Sequence, residues 1–364
     1  MKIAIITLHR VFNYGSVLQA YATQKIFEEL GYEVEIIDYI TEQRTIKKLL
    51  FSIPESKNTV IKKITYLIFK SVSIFLKIIT FGRFIRKYMS VTKKKYISYG
   101  DLVKNPPDAD VYVTGSDQIW NSKYNEGIDK GFFLCFAPKE AKKISYASSF
   151  GKEKLDINEA YEIKKLLKQY SALSVREDTA LKILNQLGFN NSICIIDPTL
   201  QIDKDKWSLI TRKRMIREKY LLLMLLYNED NGGTEYAQKI ADEKNLKVVK
   251  ISWEYIKPNG VDVLMTHRSP EVFLSLFKYA DYIVTNSFHG MSFAINFNRQ
   301  FIAIERNEFN TRLLSLLRLT HLENRLMKHN LDMNIVNDDI DYEKVNKILK
   351  DERDKSMDYL KSCL

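Results

Sequence analysis

The 364-residue chain is poor in the residues that build loops and cross-links. It has 13 glycines and 7 prolines, which excludes a collagen-like or loop-dominated protein. Its three cysteines, Cys135, Cys194 and Cys363, lie far apart and form no CxxC pair. An odd, scattered set excludes a disulfide framework and points to a reducing, cytosolic setting. No His/Cys/Asp cluster has metal-ligand spacing, so no metal and no resident cofactor are expected. There is no GxGxxG, which argues against a nicotinamide dinucleotide. There is no internal repeat. Lys2 is followed at once by the strand-like run Ile3-Ala4-Ile5-Ile6-Thr7, so no signal peptide is expected.

Apolar residues make up 45% and charged residues 28%, ordinary values for a folded protein. The length suggests two domains. The net charge of +11 is confined to one place: Thr41–Gly100 carries 14 Lys/Arg against 2 Asp/Glu, and the remainder is close to neutral.

The first forty residues read as strand, loop, helix, strand. Ile3–Thr7 suits a buried parallel strand. Asn13-Tyr14-Gly15-Ser16 leads into a helix expected from Val17 to Leu30 with Ser16 as its cap, and Glu33–Asp38 is a second strand. The pattern breaks between about 41 and 100. It resumes with strands at Val111–Thr114, Ile144–Ala147, Ala172–Val175 and Ile193–Ile196, and Pro198 closes the unit. A second set of strands follows at Tyr220–Leu226, Lys247–Ile251, Asp281–Thr285 and Phe301–Ile304, with helices between, and a last helix at about Tyr342–Leu360. The fold class is therefore α/β, with two Rossmann-like domains facing a cleft. The expected division is 1–200, with a basic, apolar helical insertion at about 41–100, then 201–340. Residues 341–364 form a helix returning to the N-terminal domain.

Ligands in such sheets sit at the carboxyl ends of strands, so polar motifs there are the candidates. Asn13–Ser16 offers backbone N–H groups at a helix N-terminus, or else a simple cap. Thr114-Gly115-Ser116-Asp117-Gln118-Ile119-Trp120-Asn121 packs polar residues at one strand end. Asp117 is suited to orient or deprotonate a sugar hydroxyl, or alternatively to cap a following helix. Arg176 is suited to bind a carboxylate or phosphate, or else pairs with Glu177 or Asp178. In Asn286-Ser287-Phe288-His289-Gly290, Ser287 caps a helix and His289 lies in its first turn, suited to hold an anion or move a proton. His9 ranks second among the five histidines; His267, His321 and His329 lack such a setting. Arg306 and Arg312 flank Glu308-Phe309-Asn310-Thr311 and are placed to add positive charge, or to be paired with acids.

The segment Val60–Tyr88 places Lys63, Lys70 and Lys77 seven residues apart, opposite a wide apolar face, with Arg83, Arg86 and Lys87 after them. The lysines argue against a spanning helix. A basic amphipathic helix on an anionic leaflet fits, as does a hairpin packed on the protein or on a second subunit. In the membrane reading Ile64, Leu67, Ile68, Ile74, Phe75, Ile78 and Ile79 enter the headgroup boundary.

Taken together, these motifs resemble the polysaccharide pyruvyl transferase family. The resemblance rests on Asn13-Tyr14-Gly15 with Leu18-Gln19-Ala20-Tyr21-Ala22, the string Thr114–Asn121, and Tyr146-Ala147-Ser148-Ser149-Phe150-Gly151. It continues through Ser174-Val175-Arg176-Glu177, Asp197-Pro198-Thr199-Leu200, Ser287-Phe288-His289-Gly290 and Asn310-Thr311-Arg312-Leu313-Leu314, over about residues 3–326. The basic segment within 41–100 is outside the common motifs. The resemblance implies a GT-B-like fold. It implies transfer of pyruvate from phosphoenolpyruvate to a sugar of a bacterial surface polysaccharide or its lipid-linked precursor, as a cyclic ketal. On that basis Arg176, His289, Ser287 and Arg312 are expected to hold the donor, with His289 as acid. Asn13, Tyr14, Gly15, Ser116, Asp117, Gln118 and Trp120 are expected to hold the acceptor. The expected partners are phosphoenolpyruvate, a polyprenyl-diphosphate-linked oligosaccharide and an anionic membrane surface, with no nucleic acid. The expected location is the cytoplasmic face of the plasma membrane. The alternatives are a GT-B glycosyltransferase using a nucleotide sugar, or a non-catalytic membrane-associated subunit of a glycan-assembly complex.

Overall fold

The computed structural model describes residues 1–41, 44–51, 60–226, 229–308, 310–328 and 330–364. Phe309, His329 and the side chains of Ile61 and Lys63 lie outside the described set. The chain divides into two compact units. Unit 1 takes Met1–Phe150, Lys154–Val175 and Ala180–Cys194; unit 2 takes Gly151–Glu153, Arg176–Thr179 and Ile195–Leu364.

Unit 1 runs β1 (Lys2–Ile6), α1 (Tyr14–Glu29), β2 (Glu33–Tyr39), α2 (Ile46–Phe51), α3 (Val60–Tyr88), β3 (Val91–Tyr96), α4 (Tyr99–Lys104), β4 (Val111–Thr114), β5 (Lys142–Ser145), α5 (Ile157–Leu167), β6 (Ser174–Val175), α6 (Asp178–Gln186) and β7 (Ile193–Cys194), with the first two residues of α6 counted in unit 2. Its main sheet is parallel, in the order β3-β2-β1-β4-β5. The short parallel pair β6–β7 continues beside β5 through bridges Ile144–Ala172 and Ser148–Val175. β1 and β4 are apolar and buried because a parallel sheet is covered on both faces.

Unit 2 runs α7 (Pro198–Gln201), α8 (Lys204–Ser208), β8 (Tyr220–Met224), α9 (Gly233–Lys244), β9 (Lys247–Ser252), β10 (Val263–Thr266), α10 (Pro270–Tyr279), β11 (Tyr282–Thr285), α11 (Phe288–Asn296), β12 (Gln300–Ile304), α12 (Thr311–Thr320), β13 (Leu326–Met327), α13 (Met333–Asn337) and α14 (Tyr342–Cys363). Its sheet is also parallel, in the order β10-β9-β8-β11-β12-β13.

Four expectations change. α1 begins at Tyr14 rather than Val17, because the Asn13 side chain accepts from the N–H groups of Gly15 and Ser16 and acts as the cap. The stretch expected to be helical up to Tyr88 is so, as α3, but the basic segment is not helical on to residue 100, because β3 supplies the sheet edge. Lys93, Lys94 and Lys95 lie on that edge strand, exposed, where charge discourages pairing with another chain. The division between units falls at Cys194 rather than 200, and Pro198 opens α7 instead of closing unit 1. Finally, α14 packs on α12 and on α7, a segment expected to close the N-terminal domain that belongs to unit 2.

Candidate functional site

The unit 2 site begins with Asp197. It caps α7, where Oδ1 accepts from the Thr199 N–H at 2.9 Å and the Thr199 hydroxyl at 2.7 Å. Its other oxygen accepts from Arg176 Nη1 at 2.6 Å, with both side chains fully buried. His289 Nε2 lies 3.9 Å from the same oxygen. Burial pushes the Asp197 carboxyl up, but Arg176 and then His289, with the bonds from Thr199 and Arg176, hold it below the usual carboxylate range. Arg176 therefore has an acidic partner, but not Asp178, which pairs with Arg318 at 2.6 Å. Glu177 stands 3.7 Å from Arg176 Nε and accepts weakly from the Gly151 N–H.

His289 is positioned by the turn before α11. Ser287 caps that helix by accepting from the Gly290 N–H at 3.2 Å. Thr285 accepts from the Ser287 N–H at 3.1 Å and donates to the Met224 carbonyl at 2.8 Å, tying the turn to β8. Gly290 is needed for close approach: a Cβ there would lie 2.5 Å from Thr285 Oγ1 and 3.3 Å from Met224 Sδ. Phe288, beside His289, carries two cations. The guanidinium carbon of Arg176 is 4.9 Å from its ring centre and that of Arg312 is 5.6 Å. Arg312 is buried in the first turn of α12.

The structure thus brings Arg176, Ser287, His289 and Arg312 together within unit 2. Asp197 and Phe288 complete the group and were not singled out as site residues from the sequence. Asp197 sits in an Asp-Pro-Thr helix start, the one local signal for it. Arg306 lies apart: its guanidinium forms a paired contact with Glu229 at 3.2 and 3.3 Å.

Unit 1 holds the other candidates. Thr7, at the end of β1, donates to the Ser116 carbonyl and accepts from Gln19, which fixes the loop after β4 against α1. A Cβ on Gly115 would meet the Thr7 Cβ at 2.9 Å, so the loop passes where only glycine fits. Asp117 adopts φ +76, in the left-handed region. One carboxylate oxygen accepts from the Ser16 hydroxyl at 2.5 Å and the other from the Gln118 N–H at 2.9 Å. No helix follows Asp117 before α5, so it caps none.

Several acceptor candidates turn inward. Trp120 is 1% exposed, stacked 5.6 Å from Phe133 and edge-on to Tyr170, with its indole N–H donated to the Phe132 carbonyl. It is a core residue, because its indole finds apolar neighbours and a carbonyl partner inside the unit. Ser116 is likewise fully buried. Asn13 caps α1, so the Gly15 and Ser16 N–H groups that an anion would use are occupied. Gln118, half-buried, accepts from Asn121. His9 is buried with Nδ1 at 3.2 Å from the Thr7 carbonyl and Nε2 at 3.2 Å from Asp38. Asp38 also receives two bonds from Arg10. This cluster ties the ends of β1 and β2 together. Among the described residues no group of His, Cys, Asp and Glu has the geometry of a metal site.

Two parallel α/β sheets, each with its polar residues gathered after the strands, define a two-unit Rossmann-like protein of the GT-B kind. The family model for polysaccharide pyruvyl transferase matches residues 13–308, and the chain belongs to that family. Among curated proteins no sequence matches it. Among solved structures, S. aureus MnaA with UDP has a TM-score of 0.50 at 12% identity, covering 98% of this chain and 90% of that one. UDP-GlcNAc 2-epimerase from Neisseria meningitidis, bound to UDP-GlcNAc, has a TM-score of 0.49 at 8% identity, covering 98% and 94%. UGT89C1 from Arabidopsis thaliana has a TM-score of 0.47 at 10% identity, covering 100% and 99%. At such identities the first of these speaks to the fold alone.

Proposed function

We propose that this pyruvyl transferase family member moves the pyruvyl group of phosphoenolpyruvate onto two hydroxyls of a sugar. The sugar belongs to a bacterial surface polysaccharide or its lipid-linked precursor, and the product is a cyclic ketal. The observation that carries the donor assignment is the convergence of Arg176 and Arg312 on Phe288, beside His289. Two buried guanidinium groups near one ring repel each other. An anion lying between them relieves that repulsion and accepts charge-assisted bonds from both. A compact molecule with a carboxylate at one end and a phosphate at the other suits two such cations.

Within the group, Asp197 and, at 3.7 Å, Glu177 both face Arg176. A proton on His289 supplies the surplus positive charge that a polyanionic donor needs. The same proton has a chemical use. Delivered to the methylene carbon of phosphoenolpyruvate, it converts the enol phosphate into a cation centred on C2. One sugar hydroxyl adds to C2 and loses its proton, phosphate leaves, and a second hydroxyl closes the ring. Of the two hydroxyl protons, one replaces that spent on the methyl group and the other leaves with phosphate. Asp197 acts by positioning: it orients Arg176 and lies 3.9 Å from His289 Nε2.

Asp117 is the proposed orienting group or base for the acceptor. Its carboxylate is held by the Ser16 hydroxyl and the Gln118 N–H at the end of β4. The test is phosphate release from phosphoenolpyruvate with a panel of lipid-linked galactosides. Release that depends on acceptor supports the assignment. Release of nucleotide from a nucleotide sugar, with phosphoenolpyruvate untouched, overturns it in favour of glycosyl transfer.

A further inference from the structure

We propose that α3 is a membrane-docking helix whose N-terminal half enters an anionic lipid leaflet. Ile64, Ile68, Val72 and Phe75 follow at helical spacing and form one exposed row; Ile68 is 58% and Phe75 61% exposed. The same row continues through Ile79 to Arg83 and Arg86, which are exposed, with exposed Lys87 beside them. The helix thus offers an apolar stretch that ends in a basic collar. From Ser56 to Gly100 the sequence contains no Asp or Glu to oppose that charge.

The helix dips into a leaflet rather than crossing it. Ile64–Tyr88 is long and apolar enough by composition to span. Its C-terminal half, however, belongs to unit 1: Phe81 packs on Phe12 and Tyr14, and Phe84 on Tyr21, all buried or half-buried. Crossing a bilayer would strip these rings from α1. The run from Ile64 to Phe75 rises about 17 Å along the helix, enough to lay one apolar side into the headgroup boundary.

The expected list of lipid-facing residues changes accordingly. Ile74 is buried in the protein. The 3.6-residue period turns Lys70 and Lys77 to the side opposite the exposed row, and burial pushes the Lys77 ammonium pKa down. Charge also selects the occupant. A second copy of this chain would set one basic collar against another, whereas an anionic surface complements it. The contact of Phe81 with Phe12 and Tyr14 carries the start of α1, and with it Ser16 and Asp117, to the bilayer.

The proposal stands on α3 and does not depend on the reaction. Its test is flotation of the full chain with vesicles of phosphatidylcholine alone or mixed with phosphatidylglycerol. The protein should float with the mixed vesicles at low salt and be released as salt rises. Arg83→Gln with Arg86→Gln and Lys87→Gln should weaken binding about 100-fold, from about 5-fold per cation. Ile68→Ser with Phe75→Ser should weaken it by about 100-fold, taking about tenfold for each side chain. Both sets alter exposed positions, so melting temperatures should hold. Protein that stays unbound at low salt, variants that float like the parent, or a melting temperature that falls sharply with the serines would each overturn the proposal. So would a dimer that forms without lipid and dissolves on Phe75→Ser.

Discussion

Replacing Asp197 by Asn tests the unit 2 site at its hinge point. Asn keeps the size, and its amide oxygen can still accept from Thr199. Its NH₂ group then faces Arg176 Nη1, where a 2.6 Å charge-assisted bond stood. Removing one partner of a buried ion pair costs about 3–5 kcal/mol. Glu177 remains 3.7 Å from Arg176 Nε, so the expected loss lies at the lower end, about 3 kcal/mol. Arg176→Met should also destabilise, and the double variant should lose about 2 kcal/mol less than the sum, because neither charge is then left alone. Urea unfolding followed by Trp fluorescence reads this, since Trp207 and Trp253 lie in unit 2. The Asp197 pKa is depressed in the folded protein. Its stabilisation is therefore complete above the unfolded value of about 4 and is lost as pH falls below it toward the folded value. The gap between parent and Asp197→Asn should shrink over that window. A loss under about 1 kcal/mol at neutral pH, an additive double variant, or a gap that ignores pH would refute the reasoning.

Other outcomes follow from the same geometry. His289→Gln should keep some donor binding, since Gln still forms hydrogen bonds, and lose turnover, because it transfers no proton; pre-steady-state phosphate release checks this. Arg312→Ala should weaken phosphoenolpyruvate binding by about 1.5–3 kcal/mol, read by calorimetry. Gly290→Ala should destabilise unit 2 and disturb the α11 turn, since its Cβ would sit 2.5 Å from Thr285 Oγ1; the melting temperature shows it. Trp120→Ala should cost about 3–5 kcal/mol as a core deletion, measured by urea unfolding of unit 1.

Much of the fold is legible in the chain because central parallel strands are short apolar runs, as at Ile3–Ile6 and Tyr220–Met224. β3 is not, because an edge strand tolerates Lys93-Lys94-Lys95, and three lysines hide its pairing with β2. The amphipathic character of α3 is visible in its spacing, but which side faces inward depends on α1 and its rings. In the site, the strand-end rule finds Arg176 and His289. It does not reveal that Asp197 joins them, since that contact spans 21 residues to Arg176 and is made only by folding. Density of polar residues misleads at Trp120, where neighbouring Asp117 and Gln118 suggest a surface but the indole lies in the core.

The central claim is pyruvyl transfer from phosphoenolpyruvate, and a double-label experiment reaches it directly. Carbon-labelled phosphoenolpyruvate is incubated with the protein and a lipid-linked oligosaccharide. Label entering the lipid phase and phosphate entering the aqueous phase are then measured together. The account predicts that the two rise in equal amounts and that both cease in His289→Gln. Phosphate released without label in the acceptor, or label transferred at the parent rate by His289→Gln, would contradict it.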